Sequence, residues 1–397
     1  MEPGEYDNIP MSFDKQGEYP ADVPESSTNS AEFSNVNRYA FVVHPLDIHY
    51  IHRHPLFGWS RFLPDGFVEW IGAWFPPIFL SRIRGGHSAA TGQKVEGFLY
   101  SLGTTPRQML TRSERFTYKR LIHAARIAER QGARIMGLGA FTSVVGDAGV
   151  TIAKESDIAI TSGNSLSVAV TIETAKKAIA CMGRTDISQC KAMVIGATGS
   201  IGSACARLLA EMALEIVLVS VDLERLSKLR SSIWQANPSV RIEITTKPDD
   251  FISDCDLIIT ATSAIESPIL DIKLSKPGAV ICDVARPANV SRDEAALRPD
   301  VLVVESGEVI FPGEVDFGYD IGLPAKSAYA CLAETALLAM EGRFEDYSIG
   351  RDISTQQVKE IYQLFIKHGF KISGLRSFGE TVTDEIMAEK HLSAEKM

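Results

Sequence analysis

The stretch "KAMVIGATGSIGSACARLLAEM", residues 191–212, constrains the fold more than any other part of the chain. A short apolar run leads into Gly196, Gly199 and Gly202, and a helical pattern follows. That glycine spacing has meaning only with a strand ahead of it and a helix behind it. "EIVLVSVDLERLSKLRSSI" repeats the strand–helix rhythm directly afterwards. "VRIEITT", "CDLIITATSA" and "AVICDVARP" add further short strands rich in β-branched residues. Strands alternating with helices predict an α/β fold, a Rossmann-like doubly wound parallel sheet.

Such a loop is built to receive a dinucleotide. The glycines permit a tight turn, and the pyrophosphate rests on N–H groups at the helix start. The alternative is a nucleotide-free domain that keeps the glycines for helix–strand packing. Two residues after the second strand point in opposite directions. Asp222 suits the ribose 2′-hydroxyl of NAD, and Arg225 suits a 2′-phosphate.

The chain has 397 residues, 45% hydrophobic and 23% charged, which suits two or three domains with proper cores. A net charge of −10 argues against nucleic acid as a general partner, since phosphate binding needs a basic surface. The six cysteines are scattered, without a C-x-x-C pair, so neither zinc nor another metal is expected. No basic-then-apolar leader opens the chain, and the expectation is a cytoplasmic protein with reduced thiols. Residues 1–38 are rich in acidic and small polar residues, which predicts a disordered arm. The stretch 57–80 holds three of the four tryptophans, but charges and prolines break it too often for a membrane-spanning helix.

Between Thr111 and Gly132 the spacing predicts one helix, with Thr111 and Glu114 as a capping box and Gly132 as the stop. Arg112, Arg115, Lys119, His123, Arg126 and Arg130 fall on one face of it. The plain reading is a solvated face. The functional reading is a docking stripe for an acidic partner.

Cys331 lies in "SAYACLAETALLAMEG", residues 327–342, with a helical pattern starting near Ser327. A free cysteine is commonly a small buried hydrophobe. Beside a nicotinamide, a thiolate has a definite chemistry instead. It takes the acyl group from a thioester, and after hydride reduction it leaves an aldehyde behind. A position near the helix start, with Lys326 at that end, is compatible with a lowered thiol pKa. Spacing alone leaves both readings open.

At this point the residues resemble a family. "SAATGQKVEGFLYSL", "GLGAFTSVV", "TSGNSLSVAV", "VIGATGSIGSA", "YACLAETALLAMEG" followed by "SIGRDIS", and "IKHGF" occur in this order. Together they are similar to the cyanobacterial-type long-chain acyl-[acyl-carrier-protein] reductases, which form fatty aldehydes. The resemblance covers about residues 39 to 375. It implies an N-terminal α+β substrate domain (39–182), a Rossmann domain (183–323) and a C-terminal helical segment (324–397). It implies reduction of acyl carrier protein or coenzyme A thioesters by NADPH, with NADH as the alternative, and stimulation by divalent magnesium.

Residue by residue, the resemblance makes Cys331 the acyl acceptor, with Asn164 and Glu334 as further catalytic or substrate-contacting candidates. Gly196, Ala197, Thr198, Gly199, Ser200, Ile201 and Gly202 hold the cofactor; apart from the resemblance, Asp222, Arg225, Thr262 and Ser263 are further cofactor contacts expected from the residues themselves. The basic stripe, Arg112, Arg115, Lys119, Arg126 and Arg130, would dock the acidic carrier protein. The aromatic region 57–84 would line an acyl tunnel or touch a membrane surface, giving a cytoplasmic protein with peripheral membrane contact; the plain alternative is ordinary core.

The chain also departs from the family. Val221 and Asp222 stand where the family has an arginine suited to a 2′-phosphate, the acidic arm is extra, and the aromatic region is longer. Two other readings stay open. One is a different Rossmann oxidoreductase, like glutamyl-tRNA reductase or shikimate dehydrogenase. The other is a non-catalytic sensor that binds a dinucleotide and an acyl carrier.

Overall fold

A computed structural model describes residues 36–45, 48–53, 58–184, 186–264 and 268–394. The expected disordered arm lies outside the described residues up to residue 35, and its last three residues already belong to a strand.

The first sheet is mixed. Its strands are β1 (Val36–Val43), β2 (Ile78–Gly86), β3 (Lys94–Ser101), β4 (Ile135–Leu138) and β5 (Ala159–Thr161). Parallel pairs join β3, β1, β4 and β5, and β2 pairs antiparallel with β3. β1 is central, and its side chains alternate. Tyr39 and Phe41 face one core, whereas Ala40 and Val42 face another.

The second sheet is the expected doubly wound one. It holds β6 (Lys191–Ile195), β7 (Glu215–Val219), β8 (Arg241–Thr245), β9 (Leu257–Thr260), β10 (Val280–Asp283) and β11 (Leu302–Glu305). The order is β8-β7-β6-β9-β10-β11, and every neighbouring pair is parallel. β9 and β10 are buried throughout, as strands covered on both faces must be, while the edge strand β8 is partly exposed. The strand order reverses between β6 and β9, so their carboxyl ends flank a crevice suited to a ligand.

After β11 the chain leaves this sheet. β12 (Glu308–Ile310) starts a small separate sheet, and β13 (Gly313–Asp316) pairs antiparallel with β2 of the first sheet. A residue numbered with the Rossmann segment thus completes the N-terminal sheet. β14 (Ser327–Tyr329) and β15 (Lys371–Ile372) flank β12, and the hairpin β16 (Arg376–Ser377) and β17 (Glu380–Thr381) extends the edge at β11.

The helix Asn164–Cys181 joins the two sheets. Leu166, Val168, Val170, Ile172, Ala175 and Ile179 are buried around its whole circumference, which marks an interior helix. It packs against the helices Ser200–Ala210, Ala330–Glu341 and Thr355–Lys367. One continuous apolar core runs from Tyr39 and Leu99 through this helix to Val194, Ile259 and Val280.

Candidate active site

The site begins with the helix Ala330–Glu341. Tyr329 ends β14 and caps this helix, so Cys331 is its second residue. N–H groups in a first helical turn have no partner within the helix. Here the N–H groups of Ala140, in a distant loop, of Leu332 and of Cys331 itself favour the charged form of the Cys331 thiol. These donors draw the thiol pKa down, but burial is the larger effect and pushes it up to about 11. The lowered pKa compatible with the sequence does not occur in this state. Lys326, expected at the helix start, points away and pairs with Glu314 at 2.7 Å.

Ala140 follows β4 in "GLGAF". It has φ of 48°, a left-handed conformation unusual for alanine, and this turns its N–H toward the sulfur. Neighbours hold the turn in place. Gly139 N–H donates to Val42 O at 2.8 Å, and Thr142 Oγ1 donates to Gly139 O at 2.7 Å. Phe141 N–H donates to His44 Nε2 at 2.9 Å. That bond requires an unprotonated Nε2, leaving His44 Nδ1 to donate to Pro45 O at 3.0 Å. Burial agrees, lowering the His44 pKa to about 4. The glycines serve close approach. A Cβ on Gly137 would lie 2.0 Å from Thr335 Oγ1, on the cysteine helix itself.

The segment "TSGNS" closes the other side. A Cβ on Gly163 would lie 2.2 Å from Cys331 Cα, so only glycine permits this contact. Glu334 fastens the segment from below. It is fully buried, and it accepts from Thr161 Oγ1 at 2.5 Å and Leu166 N–H at 2.8 Å. Burial raises its pKa, and these donors oppose the rise. Glu334 therefore anchors the turn that meets Cys331. Ser348, from "SIGRDIS", donates through its hydroxyl to Ser165 Oγ at 2.6 Å and locks the same turn.

Asn164 connects the cysteine to the glycine loop. It is buried, and its Nδ2 donates to Ser200 Oγ at 3.2 Å. Ser200 is the first residue of the helix Ser200–Ala210, with Gly199 at its cap. Gly196 has φ of 86°, and a Cβ there would lie 2.5 Å from Ala261 O. A Cβ on Gly202 would lie 2.1 Å from Gly196 O. Both glycines are required by packing. At Gly199 an added Cβ would meet Gly196 O at 3.3 Å, a tight contact but a looser one than at the other two glycines. Ala197 is buried, and the Thr198 hydroxyl lies 2.6 Å from Ser220 Oγ. Thr262 and Ser263 follow β9 across the crevice, where Asn289 Nδ2 donates to Thr262 O at 3.1 Å. This cradle at the strand-order reversal fits a dinucleotide pyrophosphate.

The two opposing cofactor cues meet each other. Asp222 caps the helix Leu223–Ala236 by accepting Arg225 N–H at 3.0 Å, and its carboxylate lies 3.3 Å from Arg225 Nε.

The basic stripe differs from the expectation. Two helices, Pro106–Thr111 and Glu114–Arg130, replace one, and Ser113 stands at the second cap. No capping box forms, because Thr111 Oγ1 donates back to Arg107 O at 3.0 Å. Arg112 falls in the break and lies over the Phe116 ring at 4.4 Å, off the helical face. Arg115, Lys119, Arg126 and Arg130 remain exposed. Their helix covers the Ala40–Val42 face of the first sheet, opposite the cysteine helix. The stripe and Cys331 are therefore not brought together.

Sequence reasoning missed Ala140, His44 and Gly163. "GLG" and "TSG" carried a signal, since glycines beside a buried strand end mark close backbone approach. Nothing in the sequence signalled the left-handed Ala140.

A family model described as Shikimate / quinate 5-dehydrogenase matches residues 173–303. The aminotransferase PigE of a Serratia species is 32% identical over 300 residues, 74% of this chain and 34% of that protein. The chain thus spans about a third of that relative's length. The long-chain acyl-[acyl-carrier-protein] reductase of Synechococcus elongatus is 24% identical over 329 residues, 79% of this chain and 92% of that one. Among solved structures, shikimate dehydrogenase from Aquifex aeolicus aligns over 85% of this chain and 100% of its own, at 12% identity and a TM-score of 0.38. The matches support a distant relationship to these proteins and a Rossmann-like region over residues 173–303.

Proposed function

We propose that the protein reduces long-chain acyl thioesters, carried by acyl carrier protein or coenzyme A, to fatty aldehydes through an acyl group on Cys331. One observation carries this reading. Cys331 packs directly on Gly163, and the next residue, Asn164, reaches the helix start of the glycine loop.

The chemistry follows from these residues. The Cys331 sulfur attacks the thioester carbonyl, forms a new S–C bond and breaks the bond to the carrier sulfur. The exchange conserves protons, since one thiol is consumed and one is released. Ala140 N–H and the first-turn N–H groups stabilise charge developing at the sulfur. The glycine loop from Gly196 to Gly202 would hold a reduced nicotinamide dinucleotide, whose chemistry would be hydride donation to the enzyme thioester. The S–C bond then breaks, the aldehyde departs, and the Cys331 thiolate takes up a proton. A high thiol pKa favours that last step and disfavours the first.

The test is an aldehyde assay with long-chain acyl carrier thioester and acyl coenzyme A, each with NADPH and NADH. Aldehyde from either substrate supports the reading. The match of residues 173–303 to the shikimate and quinate dehydrogenase family favours a second reading, oxidation of a hydroxy acid. Hydroxy acid turnover that survives Cys331→Ala, with no aldehyde from thioesters, selects that second reading.

A further inference from the structure

We propose that the aromatic face of residues 58–79, with the cations beside it, docks on an anionic lipid membrane. The helix Asp65–Gly72 is inverted for a helix of a water-soluble domain. Its buried residues are Val68 and the acidic Glu69, which accepts from Thr105 Oγ1 at 3.1 Å. Its rings point outward. Phe67 and Trp70 are 46% and 53% exposed and stack on each other with centroids 6.3 Å apart. In the same segment Phe62 is 78% exposed, Trp74 57% and Phe79 42%, and Leu110, on the helix Pro106–Thr111, is 62% exposed. Single exposed hydrophobics are ordinary, but a cluster of this size marks an interaction surface.

The charge of the rim names the partner. Arg61 lies over the Phe62 ring at 5.0 Å. Arg112 and Arg120 lie over Trp74 at 5.4 and 5.3 Å, and Arg120 Nε donates to Ala73 O at 2.5 Å. Lys119 is exposed on the adjoining helix, and Arg115 beside it is exposed with Glu155 at 3.5 Å. Asp65, the exposed acid of this face, lies 3.3 Å from His52 Nε2. The whole chain carries −10, so a locally cationic face selects an anionic partner against the molecule's own field. Tryptophan and phenylalanine bordered by arginine and lysine is the composition of a face lying in the headgroup boundary. Among the described residues no helix is long and apolar enough to cross a membrane, so the contact is peripheral. The proposal stands independently of the acyl reductase reading.

The experiment is co-sedimentation of the full chain with phosphatidylcholine vesicles and with vesicles holding about 30% phosphatidylglycerol. The expected result is binding to the anionic vesicles that weakens with salt. Phe62→Ser with Trp70→Ser should weaken it at least about tenfold, since two apolar rings no longer leave water. Arg61→Glu with Lys119→Glu should abolish the preference for anionic lipid. These side chains are exposed, so the variants keep the wild-type melting temperature. The proposal is overturned if wild type binds neither vesicle or if the ring variant binds like wild type. It is also overturned if the rings prove to serve self-association or carrier-protein binding while vesicle binding is absent.

Discussion

At the scale of single residues, the account depends on what surrounds one sulfur. Cys331 is partly buried, and three N–H groups do not compensate for the water it has lost, so its pKa stands near 11. A raised thiol pKa leaves little thiolate at neutral pH, and each pH unit below the pKa reduces it about tenfold. Alkylation of Cys331 should therefore rise about tenfold per unit between about pH 7 and 9, without levelling. Peptide-resolved mass spectrometry checks this, because Cys181 is more exposed than Cys331 and would react as well. A plateau below about pH 9 would show a thiol activated in the free protein. Gly163 gives a second prediction. It has φ of 72°, and its missing Cβ leaves room for Cys331. Gly163→Ala should cost about 2–4 kcal/mol, from left-handed strain plus backbone displacement. A thermal melt reads the loss, and unchanged stability would mean that Cys331 and "TSGNS" are not in contact.

At the scale of elements, the basic helix and the loop after β4 meet at one end only. Asp147 N–H donates to Tyr118 Oη at 2.9 Å, seven residues on from the Ala140 turn. Arg115 and Lys119 lie within a turn of Tyr118, while Arg130 lies about 18 Å further along the helix axis. A carrier protein docked on this helix would have to pass its acyl group around the sheet, and the helix end that touches the loop after β4 is the one that carries Arg115. Arg115→Glu with Lys119→Glu should therefore raise KM for the carrier thioester several-fold more than Arg126→Glu with Arg130→Glu. Neither pair should change KM for acyl coenzyme A. Equal effects of the two pairs in steady-state kinetics would return the stripe to a plain solvated face. The capping error belongs to this scale too. Thr111, three residues before Glu114, matched a local rule. The actual cap is Ser113, because Pro106 starts a separate short helix and Arg112 turns to the aromatic rings.

At the scale of the molecule, the Rossmann sheet was legible because its strands are short buried runs such as "LIIT" and "VICD", each beside its own helix. The glycine loop was legible for the same reason, since strand, turn and helix are contiguous. The first sheet was not. β13 joins β2 across more than two hundred residues, and no local pattern records such a pairing. The site combined both cases. Cys331, Asn164 and the loop were found as motifs, whereas Ala140 and His44 act through backbone geometry that only the assembled fold creates. What the fold accomplishes is to hold a cysteine, an asparagine and a dinucleotide cradle in one contiguous strip. The most direct measurement of that claim is trapping. The protein is mixed with a long-chain acyl carrier thioester without reductant, and its intact mass and peptides are read. One acyl group on the Cys331 peptide, released as aldehyde when NADPH is added and absent in Cys331→Ala, is the predicted result. An acyl group on another residue, or aldehyde formation at the parent rate by Cys331→Ala, would contradict it.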